Sequence, residues 1–202
     1  MNSIKKIKEN ALKNHIPIIM DETLDKIFEI VGQNKFDNIL EIGTAVGYSA
    51  LRFLPLLNSD GKIDTIERDE EMIREAKTNF NDIDKYNQIN LYEGDAVEIL
   101  PTLDEKYDMV FIDASKGKYP FFLEQSLRML SNDGIIFADN ILYKGYVMSD
   151  YNKRKQRTAV THLREYIKNA TENEKLNTII YESGDGLAVS FFKNNSKYIL
   201  KS

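Results

Sequence analysis

Along this chain, short runs rich in Ile, Val and Phe alternate with stretches whose apolar residues recur at the spacing of an amphipathic helix. Such alternation predicts βα units that build a mostly parallel sheet with helices on both faces. The apolar runs predict seven strands: Asn38–Ile42, Lys62–Glu67, Ile89–Glu93, Asp108–Asp113, Gly134–Asp139, Thr178–Ser183 and Leu187–Phe192. A helical region from about Ile4 to Gly32 precedes them. Only Gly184, Asp185 and Gly186 separate the last two strands, too few residues for a helical crossover. These two strands are therefore expected to form an antiparallel hairpin at one edge of an otherwise parallel sheet.

The length, 202 residues with 42% hydrophobic, suits one domain spanning 1–202. With no cysteine and only two histidines, any metal must be held chiefly by oxygen, which disfavours zinc and excludes a disulfide framework. No apolar run approaches the ~20 residues of a membrane span, and the basic N-terminus lacks an apolar stretch, so a cytoplasmic protein with no membrane partner is expected. The net charge of −5 argues against general affinity for nucleic acid, but it averages over an uneven chain. From Ile141 to Ala170 there are seven basic residues against two acids, and Lys153, Arg154, Lys155 and Arg157 are nearly consecutive.

In open α/β sheets, ligands bind beyond the carboxyl ends of the strands. Here those ends carry Glu41, Glu67, Asp95, Asp113 and Asp139. The segment Glu41-Ile42-Gly43-Thr44-Ala45-Val46-Gly47-Tyr48-Ser49 reads as a strand end, a glycine turn and a helix start, with Gly43 and Gly47 allowing a sharp turn and space for a ligand. Its spacing is neither G-x-G-x-x-G nor a phosphate loop, which points to a nucleoside bound without phosphates. Glu67 ends the next strand, at the distance where nucleoside sites place a carboxylate on ribose hydroxyls. Asp95 and Ala96 are placed to meet an adenine edge. Asp113 and the Asp139-Asn140 pair end the fourth and fifth strands, and two carboxylates with one amide oxygen suit Mg²⁺.

The Glu41–Ser49 segment resembles the first motif of class I S-adenosylmethionine (SAM)-dependent methyltransferases, in particular the catechol and caffeoyl-CoA O-methyltransferase branch. The resemblance implies a Rossmann-like fold. It also implies SAM as cofactor, with Glu41, Gly43, Thr44 and Gly47 around the methionine moiety, Ser49 on its carboxylate, Glu67 on the ribose and Asp95 with Ala96 at the adenine. Ile18 and Ile19 match the N-terminal stretch that covers the cofactor in that branch, within a helical region 1–32. Asp-x-x-Lys at 113–116, followed by Asp139-Asn140, resembles the metal and base set: Asp113, Asp139 and Asn140 as Mg²⁺ ligands, with Asp113 also bordering the cofactor, and Lys116 as the base. A metal-chelated, ionised hydroxyl would attack the methyl carbon of SAM in line.

Within the branch, Ile16-Pro17-Ile18, Asp113–Tyr119, Asp139–Gly145 and Gly184–Ala188 most resemble bacterial tRNA 5-hydroxyuridine methyltransferases. This implies formation of 5-methoxyuridine at the wobble position of the tRNA anticodon loop, in a protein that is usually a homodimer. The 5-hydroxyl and 4-carbonyl oxygens of that base form a vicinal pair able to chelate Mg²⁺ as a catechol does. Lys153, Arg154, Lys155 and Arg157 are then candidates for RNA phosphates flanking the base. Two alternatives stay open: methylation of small catechol-like phenols, where Glu182 sits near the position of a substrate-holding acid, and a non-catalytic SAM- or nucleotide-binding module.

Overall fold

The computed structural model of the protein describes residues 2–84, 87–150 and 156–198. Seven strands form one sheet: β1 (Phe36–Ile42), β2 (Leu57–Glu67), β3 (Ile89–Glu93), β4 (Tyr107–Ile112), β5 (Leu130–Ala138), β6 (Leu176–Tyr181) and β7 (Leu187–Phe192). Their order is β3-β2-β1-β4-β5-β7-β6, with β7 antiparallel to both β5 and β6 and the remaining pairs parallel. The predicted hairpin is present, with β6 as the edge. Most strands begin earlier than the apolar runs suggested. Leu57–Gly61, for example, belongs to β2 although it carries Asn58, Ser59 and Asp60, because its backbone continues alongside Phe36.

Among the described residues, seven α-helices accompany the sheet: α1 (Asn2–Lys13), α2 (Asp21–Val31), α3 (Tyr48–Phe53), α4 (Glu70–Ile83), α5 (Ala96–Ile99), α6 (Tyr119–Met129) and α7 (Arg157–Thr171). Side chains alternate across each strand, so the sheet buries two separate cores. Ile39, Ile63, Met109, Phe111, Ile135 and Phe137 face one way, onto α1 to α4. Leu40, Ile66, Val110, Ile112, Ile136 and Ala138 face the other, onto α6 and α7. The predicted N-terminal helical region is two helices, because His15 takes a left-handed backbone (φ 56°) and Pro17 disfavours helix at the residue before it. After the turn at 14–15, residues 16–20 have no regular secondary structure and reach the carboxyl edge of the sheet.

Register decides what that edge carries. Ile42 pairs with both Ile66 and Ile112, and Ile112 pairs with Ala138. The ladder extends one step further through Gly43 N–H to the Ile66 carbonyl (3.1 Å), Asp113 N–H to the Ile42 carbonyl (3.0 Å) and Asp139 N–H to the Ile112 carbonyl (2.9 Å). Glu67, Gly43, Asp113 and Asp139 thus stand side by side. The chain leaves β1 towards β2 and β3 on one side, while β4 and β5 continue on the other, so the switch point of the winding falls between Gly43 and Asp113.

Gly43 has φ 102°, and a Cβ there would lie 2.2 Å from the Asp113 carbonyl oxygen, a backbone atom that cannot step aside. Gly43→Ala should therefore lower stability by at least ~2 kcal/mol, combining overpacking with an unfavourable dihedral. Gly145 also has positive φ (74°) but nothing lies within 4 Å of its would-be Cβ, so Gly145→Ala should cost only ~1 kcal/mol. Urea denaturation of the two variants beside the parent chain checks the difference.

Candidate active site

A cavity of about 690 Å³ opens at this switch point. Its floor is the turn after β1, and α4 braces that turn: Asn79 Nδ2 donates to the Val46 carbonyl (2.8 Å), and the Phe80 ring fills the space where a Gly47 side chain would be. Gly43, Thr44, Ala45, Tyr48 and Ser49 line one wall, and Glu67, Gly94, Asp95 and Ala96 line the next. Ile16 to Met20, the stretch between α1 and α2, form a third wall, with Ile19 almost wholly buried. Asp113, Lys116 and Asn140 close the far end.

Most of the proposed cofactor residues, Thr44 among them, therefore border one cavity, whereas Glu41 and Gly47 do not line it. Glu41 shares the strand parity of Ile39 and so points into the α1–α4 core, where it is fully buried. Thr65, opposite it in the β1–β2 ladder, donates to Glu41 Oε2 (2.5 Å), and Thr65 and Thr44 hydroxyls meet at 2.6 Å. Oε1 of Glu41 has no hydrogen-bond partner among the described residues. Burial pushes the Glu41 carboxyl up to about 8, against the opposing influence of the Ser49 and Thr65 hydroxyls.

Glu67 is held rigidly. Its Oε2 accepts from Ala45 N–H (2.8 Å) and its Oε1 from the N–H groups of Arg68 (2.9 Å) and Asp69 (3.0 Å). The carboxylate is thus aimed at the glycine turn with unused lone pairs. Asp95 caps α5 through the Val97 N–H (2.9 Å) and also accepts from Arg68 (3.1 Å). The Val97 hydrogen bond chiefly holds its carboxyl below the usual value, with Arg68 adding to the effect.

At the far end, Lys116 lies in a short 3-10 turn, 116–118, and its Nζ donates to Asn140 Oδ1 at 3.2 Å while standing 5.5 Å from the centre of the Tyr143 ring. Asn140 takes a left-handed backbone (φ 58°), and its N–H donates to Asp139 Oδ1 (2.7 Å). Asp139 is fully buried behind the cavity wall, and its Oδ2 has no hydrogen-bond partner among the described residues. Burial, and then the neighbouring Asp113, push the Asp139 carboxyl up to about 7. Burial also raises Asp113, opposed by Lys116. Two desolvated carboxyls side by side, one with an orphaned oxygen, beside an amide oxygen and a lysine, form a donor set that fits a hard divalent cation. Among the described residues, no three Asp, Glu, His or Cys side chains form a metal-holding group, so an amide would have to be one of the ligands.

Several residues on the cavity wall were not legible in the sequence. Tyr48, Arg68, Met72, Lys118, Phe122 and Asp185 line it as well. Arg68 follows Glu67 directly, and it pairs with Asp95 across two strand ends (3.1 Å), a contact that exists only in the fold. Glu182 is exposed and does not line the cavity, whereas Asp185, three residues later in the hairpin turn, does. Of the basic cluster, Lys153, Arg154 and Lys155 lie outside the described residues, and Arg157 is exposed at the start of α7. Arg164 is committed to the fold, its guanidinium donating to the carbonyls of Tyr146 (3.3 Å), Val147 (3.0 Å) and Ser149.

A nucleoside-sized cavity at the switch point, floored by a glycine turn that lacks the phosphate-loop lysine, defines the class: a Rossmann-like methyltransferase architecture. The crystal structure of a putative caffeoyl-CoA O-methyltransferase from Staphylococcus aureus superimposes with a TM-score of 0.86 and 36% identity, covering 94% of this chain and 92% of that one. The chain belongs to the O-methyltransferase family, SAM-dependent enzymes that methylate oxygen, whose description matches residues 2–191. A putative O-methyltransferase from Mycolicibacterium smegmatis is 34% identical over 151 residues, 74% of this chain and 70% of that protein. A catechol O-methyltransferase from Niastella koreensis is 34% identical over 117 residues, 56% of this chain. That match spans only 53% of the Niastella protein's length. No helix among the described residues is long and apolar enough to cross a membrane.

Glu41 yields a pH prediction. A carboxyl raised from 4.5 to about 8 keeps its proton in the fold after the unfolded chain has lost it, so stability is greatest at the acidic end and falls as pH rises through that window. Asp139 adds a decline of the same sign. Glu41→Gln should flatten the ligand-free protein's decline by up to ~1.4 kcal/mol per pH unit between about pH 5 and 8. Urea midpoints at four pH values test this; parallel curves for the two proteins would mean that Glu41 is ionised in the fold.

Proposed function

We propose that this chain is a Mg²⁺-assisted SAM O-methyltransferase that converts 5-hydroxyuridine at the tRNA wobble position to 5-methoxyuridine. The observation that carries the reading is the convergence of Lys116, Asp113 and Asn140 on the end of a cavity whose other walls are the glycine turn, Glu67 and Ala96. In this reading Glu67 binds the ribose hydroxyls, Ala96 and Asp95 flank the adenine, and Ser49 holds the carboxylate of the methionine moiety. Ile19 and its neighbours cover the cofactor and exclude water, and Gly43 leaves the space it occupies.

SAM supplies an electrophilic methyl group on sulfur. Asp113, Asp139 and Asn140 would hold Mg²⁺, which would fix two vicinal substrate oxygens and make the hydroxyl more acidic. In this reading Lys116 takes the hydroxyl proton; it lines the cavity, and its Nζ donates to Asn140 Oδ1. Its amine is the general base of this reading. With SAM bound, the ionised hydroxyl would take the methyl group as the carbon–sulfur bond breaks, leaving S-adenosylhomocysteine (SAH), with no covalent enzyme intermediate.

The local excess of positive charge between Ile141 and Ala170 supports an RNA substrate, and a wobble base in a single-stranded loop is inexpensive to extrude. Among the described residues, Lys144, Arg157, Arg164 and Lys168 are the exposed members of that set, and Arg164 is already bonded to loop carbonyls. A second reading, methylation of a small catechol-like phenol, is favoured by the similarity to the Niastella catechol O-methyltransferase and by the apolar wall of Ile16, Pro17, Ile18 and Phe122. A homodimer in the cytoplasm goes with either.

Labelled SAM offered with tRNA carrying 5-hydroxyuridine, or with a catechol, should label the tRNA only when Mg²⁺ is present and not with a chelator. Labelling of the catechol alone moves the function to the second reading. Asp113→Ala and Asp139→Ala should abolish transfer while the far-ultraviolet circular dichroism stays unchanged, and full activity in either removes the metal from the mechanism. Lys116→Ala should lower turnover by roughly 10²-fold or more with SAM affinity little changed. Neutralising Arg154 and Arg157 together should weaken tRNA methylation and spare any activity on small phenols.

A further inference from the structure

The turn between β6 and β7 touches both halves of the site. On one side, Gly186 O accepts from Ile141 N–H (3.0 Å), Asp185 O accepts from Leu142 N–H (3.0 Å), and the Asp185 carboxylate accepts from Lys144 N–H. A Cβ on Gly186 would lie 2.3 Å from Leu142 Cγ. These contacts fasten the turn to the 139–147 loop, the segment that carries Asp139 and Asn140. On the other side, Ser183 Oγ donates to the Glu22 carbonyl (3.3 Å). A Cβ on Gly184 would lie 2.6 Å from Thr23 Oγ1 and 3.3 Å from Met20 Sδ. These contacts fasten it to the start of α2 and to the wall Ile16–Met20.

We infer that the Ser183–Gly186 turn is a joint through which the wall over the cofactor and the loop bearing Asp139 and Asn140 set each other's position, with Asp185 and Ser183 as positioning residues. This rests on the cofactor and cation reading given above and extends it. Three backbone N–H groups of the 139–147 loop are satisfied by this one turn, so the loop cannot shift without moving the turn. Gly184 of the turn lies so close to Met20 and Thr23 that no side chain fits between them. A ligand that draws the Ile16–Met20 wall onto the cavity therefore favours the loop geometry that presents Asn140. By linkage, a cation held on that loop strengthens cofactor binding by the same factor.

Calorimetric titration of the full chain with SAH, with and without saturating Mg²⁺, and with Mg²⁺ in the presence and absence of SAH, measures the coupling. SAH carries no sulfonium charge, so direct repulsion between cofactor and cation is left out. The parent chain should show mutual strengthening of about fivefold or more, in the usual range for coupled sites. In the Ser183→Ala/Asp185→Ala double variant the factor should fall to within about twofold of unity. Each ligand's affinity measured alone should change less than the coupling does. Asp185→Asn, which keeps an acceptor oxygen for Lys144 N–H, should restore most of it when introduced with Ser183 intact. Full coupling in the double variant, or independent binding in the parent chain, overturns the joint while leaving the cation site standing. Absence of Mg²⁺ binding in the presence of SAH removes the cation site and the joint together.

Discussion

The site depends first on the close passage of Gly43 against the Asp113 carbonyl. At that point β1 and β4 are neighbours in parallel register, and the chain's next steps diverge to opposite faces of the sheet. The divergence leaves a crevice that neither crossover covers. Only a residue without a side chain lets the turn after β1 lie flat against β4, and the lining of the crevice follows from that contact. The backbone of Gly43 to Ala45 becomes a wall, Glu67 on one flank bonds back to Ala45 N–H, and Asp113 on the other is partly withdrawn from water. The register of the ladders, uniform from β2 through β5 at this edge, then sets the carboxylates in a row.

Two kinds of acid occupy that row, separated by what surrounds them. Glu67 and Asp95 are tied to backbone N–H groups at a rim open to solvent, and the Val97 hydrogen bond holds the Asp95 carboxyl below its usual value. Glu41, Asp113 and Asp139 are desolvated, and each is pushed towards the neutral form by burial before any other influence. Natural folds seldom retain a buried carboxyl with an unpaired oxygen unless something else meets it. Among the described residues, Asp139 Oδ2 and Glu41 Oε1 are two such oxygens, one at the chemical end of the cavity and one under its floor. The strain of holding them is offset by two extensive apolar cores, one on each face of the sheet.

The chemistry is thereby divided between rigid and jointed parts. The glycine turn, Glu67 and Asp113 are set by the sheet itself. Lys116, Asn140 and the Ile16–Met20 wall are carried by loops, and their placement rests on α7 packing over the 116–118 turn and on the hairpin turn at 183–186. Arg164, read from sequence as one of several basic residues, is spent on the loop carbonyls of Tyr146, Val147 and Ser149, which shows that part of the local positive charge is structural.

Much of this was already legible in the order of residues. Apolar runs reported seven strands because a buried β-strand needs consecutive or alternating apolar side chains, and the three-residue gap at 184–186 forced the hairpin. Gly43 and Gly47, and the acids closing each run, announced the cavity because a parallel α/β sheet has its open crevice at those ends. Register was hidden, since it arises from pairing between distant segments, and so were the early starts of β2 and β5. The same holds for Arg68, Met72 and Phe122 on the cavity wall, which only crossing elements bring there. The exchange of Glu182 for Asp185 shows the limit plainly. Local sequence places an acid near the turn, but which acid faces the cavity depends on how the turn is seated between Met20 and Leu142, and that contact exists only in the folded chain.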